Sequence, residues 1–123
     1  VIVFGQDTLP AFWSATSGLP APLRMNSTTD IALAHQMRIA MGLPGGQLVA
    51  NPIPKEAQIP AEILAPIIAQ ALNEATSKGI TSKNVTPFLL SRIFELTEGT
   101  SLTANIALVR NNAALAAKIA ASF

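Results

Sequence analysis

Hydrophobic positions along the 123 residues fall into two kinds of pattern, short unbroken runs and long stretches at helical spacing. Val1-Ile2-Val3-Phe4 is a β-branched apolar run closed by Gly5, as in a strand buried on both faces of a parallel sheet. Gln47-Leu48-Val49-Ala50 predicts a second buried strand, stopped by Asn51-Pro52-Ile53-Pro54, whose prolines cannot join a ladder. Between the two runs, residues 6–24 carry Pro10, Pro20, Pro22 and Gly18 and read as an irregular connection with a helical turn around Ala11-Phe12-Trp13. Ile31, Ala34, Met37 and Met41 then recur at helical spacing, with Ser27 placed to cap and Gly42 to terminate. A longer helix is predicted from about Pro60 to Lys78, ended by Gly79, with Pro66 demanding a kink or a regular start near Ala65. Thr86-Pro87 predicts a cap and first residue for a helix to about Glu98, and Ser101 a cap for a last helix to about Ala121.

The order strand, helix, strand and three helices makes the fold class α/β, with about two strands and four main helices in a single unit, residues 1–123. Two strands of about four residues do not make a sheet that stands alone. Half the residues are hydrophobic and only 12% are charged, against a usual share of about 25%. Apolar surface is therefore expected to remain for other polypeptide to cover. The chain opens on Val1 inside a predicted strand, so we expect a truncated or processed chain.

A formal charge of +1 offers no field for nucleic acid or an anionic membrane. No apolar run reaches the roughly 18 residues of a membrane span, and no secretory signal pattern is present. A cytoplasmic location fits. Without cysteine, disulfide and thiolate chemistry are excluded. The one histidine, His35, has no partner set for a nucleophilic triad, and the acids show no metal-ligand spacing. Glu95 and Glu98 read as a solvated helix end, and Gly42 to Gly46 lacks the Lys-Ser/Thr of a phosphate loop.

Two features stand above this background. Asn51 sits where a buried strand ends, and ligands of open α/β sheets bind beyond such ends. The last helix carries Asn105, Asn111 and Asn112, although asparagine is a poor helix former. Asn105 and Asn112 share nearly one face with Leu108 and Val109, and amides beside apolar residues need partners, from backbone or ligand.

Leu9-Pro10-Ala11-Phe12, Ser17-Gly18-Leu19-Pro20, Val49-Ala50-Asn51-Pro52-Ile53-Pro54, Thr86-Pro87-Phe88-Leu89-Leu90, Glu95-Leu96-Thr97 and Asn105-Ile106 follow one another in an order that resembles the pseudouridine-5′-phosphate glycosidase (indigoidine-synthase-A-like) family, specifically its C-terminal portion. The resemblance implies a three-layer α/β/α sandwich. It implies reversible cleavage of the C–C glycosidic bond of pseudouridine 5′-phosphate to uracil and ribose 5-phosphate, through a Schiff base on a lysine. It also implies a glutamate acid/base, a divalent metal (manganese) and a homotrimer. The family's lysine, glutamate and metal-linked aspartate belong to motifs upstream of Val1, so no catalytic or metal residue carries over here. The expected partner is the N-terminal portion, without which the chain should be inactive. Asn105 carries over as a substrate-binding residue, with Asn51 and Asn112 as weaker candidates. The alternative is a non-catalytic interaction or oligomerisation module derived from the same fold.

Overall fold

A computed structural model describes residues 1–123. Strand β1 (Ile2–Phe4) is the centre of a parallel sheet, with β2 (Arg24–Met25) on one side and β3 (Val49–Ala50) on the other. The register pairs Val3 with Arg24 and Ala50, and Ile2 with Val49. Ile2 and Val3 point to opposite faces and are 3% and 0% exposed, so β1 is covered on both, as its unbroken apolar run requires.

The sheet therefore has three strands and not two. Arg24-Met25 carries no periodic signal after Pro20 and Pro22; β1 recruits it by donating from Val3 N to Leu23 O (2.7 Å) and from Gly5 N to Met25 O (2.9 Å). The predicted strand over 47–50 shortens to Val49–Ala50, which is only half-buried, and Leu48 is 65% exposed. As an edge strand, β3 has no neighbour to cover its outer side.

Residues 11–14 form a tight reversal and not a helical turn: Ala11 and Ser14 exchange backbone hydrogen bonds of 3.0 and 3.4 Å. Phe12 turns the corner at φ 60°, a conformation that a bulky residue holds only when its surroundings over-determine it. Those surroundings are visible on the 58–59 segment. Ile59 N donates to Trp13 O (2.8 Å), Ser14 Oγ to Ile59 O (2.6 Å), and Ala15 N to Gln58 Oε1 (3.0 Å).

Helix α1 (Thr28–Ala40) begins as predicted, with Ser27 Oγ accepting from Asp30 N at 3.3 Å, and Gly42 follows it at φ 67°. Helix α2 (Ala61–Ser77) runs unbroken across Pro66, four residues earlier than the expected regular start at Ala65. Pro66 withholds a single donor from Glu62, whose exposed position leaves that carbonyl open to water. Helix α3 (Val85–Leu96) starts at Val85, because a 3₁₀ turn at Ser82–Asn84 runs directly into it; Thr86 is thus inside the helix and caps nothing. Helix α4 (Thr100–Ala120) starts one residue before Ser101, which is buried. The capping role expected of Ser101 falls to Thr97, whose Oγ1 accepts from Ser101 N at 3.1 Å.

The main core is built by the helices and not by the sheet. Trp13, Ile53, Ile59, Leu64, Ala71, Ile93, Ala104 and Leu108 form one buried cluster, drawn from α2, α3, α4 and the two loops docked on them. Only 16 of 123 residues are buried, so much apolar surface stays open, as the composition implied.

Candidate functional site

Asn105 lies one turn after Ser101 on α4, in a groove of about 350 Å³ walled by Trp13, Leu90, Phe94, Ser101 and Leu102. Its carboxamide is half-buried and makes no hydrogen bond within the chain. One face of Asn105 therefore meets apolar and aromatic walls while its donor and acceptor remain available, the arrangement that orients a small polar ring. Trp13 fixes the far wall. Its indole Nε1 donates to Ser101 O at 3.1 Å, and the side chain is only 8% exposed. Phe12 packs edge-on against it with ring centroids 4.6 Å apart.

Neither Trp13 nor Phe94 stood out as a site residue in the sequence. Trp13 sits in a stretch without periodicity, and Phe94 reads as one more apolar position of α3. The usable signal was the indole itself, which needs an acceptor when buried and so ties its loop to another element. Replacing Trp13 with Phe keeps an aromatic wall and removes that N–H. We expect a loss of at least about 0.5–1.5 kcal/mol in urea unfolding, the net worth of one neutral hydrogen bond, with the void left by the smaller ring adding to it.

The other candidate amides are brought together elsewhere. Asn51 Nδ2 donates to Asn112 Oδ1 at 3.2 Å, and the adjacent Asn111 Nδ2 donates to Pro52 O at 3.0 Å. These contacts pin α4 to the end of β3. Asn112 is seven residues beyond Asn105, about 10 Å along the axis. Leu108 is buried between them, whereas Val109, expected on the same stripe, is 59% exposed.

Glu95 is not simply solvated: Arg92 Nη1 donates to Glu95 Oε2 (2.7 Å), and Arg92 also holds Glu74 of α2 through Nε (2.7 Å) and Nη2 (3.1 Å). Hydrogen bonds from Arg92, then Gln70, hold the Glu74 carboxyl below the usual carboxylate range, while Glu74 and Glu95 raise the Arg92 guanidinium. This is a staple between α2 and α3 on a wet surface, where ion pairs contribute little. A concavity of about 580 Å³ lies along α2 beside this staple, lined by Pro66, Ala69, Gln70, Asn73, Glu74 and Lys78, and it holds none of the candidate amides. His35 stacks edge-on with Phe123 at 5.6 Å. No three His, Asp or Glu side chains converge to hold a metal ion. No helix is long and apolar enough to cross a membrane.

Residues 1–122 match the family described as indigoidine synthase A like protein. The chain belongs to this family. Among its indigoidine synthase A-like relatives, the pseudouridine-5′-phosphate glycosidase of Jannaschia sp. is 65% identical over 98% of this chain and 40% of its own length. The Paracoccus denitrificans protein of the same name is 63% identical over 99% of this chain and again 40% of its own length. The chain thus spans about two-fifths of the relatives it matches. Solved structures share the fold, two of them as follows. One is the prealnumycin C-glycosynthase AlnA in complex with ribulose 5-phosphate (TM-score 0.87, 25% identity, 98% of this chain and 40% of that one). The other is an indigoidine synthase A-like protein of Thermotoga maritima (TM-score 0.84, 31% identity, 97% of this chain and 39% of that one).

Proposed function

We propose that this chain is the C-terminal portion of a cytoplasmic pseudouridine-5′-phosphate glycosidase, and that it contributes one wall of the substrate pocket to an enzyme completed by the remaining polypeptide. The observation that carries the reading is 65% identity across 98% of this chain to a protein of that name. In this reading the rest of the polypeptide adds further strands of a three-layer sheet, the lysine that holds the opened ribose as a Schiff base, and the glutamate acid/base. A C–C glycosidic bond has no heteroatom leaving group to protonate, and the iminium serves as the electron sink in its place. In the same reading the divalent metal, manganese, is held mainly by the remaining polypeptide.

The part played by this chain is positioning. The Asn105 carboxamide can accept from an imide N–H and donate to a neighbouring carbonyl, the edge that uracil presents. Trp13, Leu90, Phe94 and Leu102 supply apolar walls that keep water from competing for those hydrogen bonds. Lys55, Lys78 and Lys83 are given no catalytic part; Lys78 lies 5.2 Å over the Phe88 ring, away from the groove.

Mixing this chain with the remaining three-fifths of the Jannaschia relative should release uracil from pseudouridine 5′-phosphate, with neither piece active alone. A folded, stable pair that releases none defeats the proposal and favours the non-catalytic module. Light scattering of the active pair tests the homotrimer expected with it.

A further inference from the structure

Helix α4 has two apolar faces, and the chain covers only one. Ser101, Ala104, Leu108 and Leu115 are buried against the rest of the molecule. Leu102, Ile106, Val109, Ala113, Ala117 and Ala120 follow at steps of four, three, four, four and three residues, which keeps them on a single line at 3.6 residues per turn. Every one of them is exposed, with Leu102, Ile106 and Val109 at 49%, 50% and 59%. Arg110 and Lys118 lie off this line, on the remaining face. A surface helix needs one apolar stripe; a second one, running its whole length of about 30 Å, marks a helix meant to be buried from both sides.

We propose that this second stripe is the docking face for the remaining three-fifths of the family polypeptide, and not for a second copy of this chain. The proposal rests on the functional reading above only in taking that polypeptide to be present. Two observations select the occupant. The chain is 40% of its relatives' length, so a larger mass of polypeptide must pack on some face of it. And Asn111 and Asn112 pin α4 to the end of β3, an edge strand, so chain that extends the sheet past β3 arrives beside this helix. The stripe is also shaped for packing within a domain. Its second half is alanine alone, which lets another backbone approach closely, while Leu102, Ile106 and Val109 supply larger knobs beside the Asn105 groove.

The sequence has no cysteine, so single thiols report cleanly on this chain. Ala113→Cys and Ala117→Cys should react with maleimide in this chain alone and slow by about tenfold or more once it is assembled with the remaining polypeptide of the Jannaschia relative, as expected for an interface core. Lys118→Cys, off the stripe, should label equally in both. Labelling is read on this chain by intact mass, and assembly by light scattering. Equal labelling of Ala113→Cys and Ala117→Cys before and after assembly overturns the proposal, as does concentration-dependent protection in this chain alone, which would name a second copy. If the stripe variants fail to assemble while Lys118→Cys succeeds, the stripe is again the docking face. Uracil release is assayed separately: protection without activity sinks the functional reading and leaves this one standing, and activity without protection does the reverse.

Discussion

Ile93→Ala is expected to destabilise the folded protein by about 2–5 kcal/mol, the largest effect of any single substitution considered, read as a lowered midpoint in urea unfolding. Ile93 is 1% exposed and lies in the cluster that joins α2, α3 and α4 to the Trp13 loop. Removing three carbons loses their transfer free energy and leaves a cavity that rigid neighbours cannot close. Ala71 and Ala104 have no side chain to swing into the space, and Trp13 is held by its hydrogen bond to Ser101 O. Ile93→Val removes only one methylene and should cost about 0.5–1.5 kcal/mol, which separates a packing effect from general damage to α3. A loss below 1 kcal/mol for the alanine variant would mean that this cluster is not the stabilising core. The expectation is strong because so few residues are buried: with 16 in all, each core position carries a larger share of the total.

Asn105→Ala should leave stability nearly unchanged and lower kcat/KM of the completed enzyme by about 1–3 kcal/mol, the penalty for leaving a desolvated polar partner unpaired. The two halves of this expectation have separate grounds. Asn105 makes no hydrogen bond within the chain, so its removal breaks none, and alanine is the better helix former. The catalytic loss comes from the ligand, whose imide edge would face a methyl group in the same apolar groove. An unchanged kcat/KM with pseudouridine 5′-phosphate would remove Asn105 from the site. Asn112→Ala provides the contrast: it frees Asn51 and loosens the attachment of α4 to the end of β3, so its effect should appear first in unfolding.

The amides show how far a residue pattern reaches. Three asparagines on a poor helix-forming register announced that α4 needed polar partners, and that much was correct for Asn111 and Asn112. Which amide is satisfied internally could not be read from a helical wheel. It depends on Asn51 and Pro52, about 60 residues away in the chain, arriving beside the helix. The Ser101 and Thr86 caps failed for a related reason. Capping residues were identified by type, but Thr97 and a 3₁₀ turn at Ser82–Asn84 reached the helix starts first. The strand at Arg24-Met25 had no signal, since two residues have no period and exist as a strand only because β1 offers its edge.

Local chemistry alone determined the α/β class, the four helices, the glycine terminators of the first three, the Ser27 cap and the central buried strand. Each of these follows from side-chain period, backbone freedom or a capping group within a few residues. The shared motifs point to the family independently of the fold, because an ordered series of common sequence words records a shared ancestor and not a local energy. Only the tertiary structure decided that the core lies among helices and not on the sheet, that Trp13 walls the Asn105 groove, and that α4 keeps a second apolar stripe uncovered. Those facts depend on which distant segments meet, and burial is a property of the meeting and not of either segment.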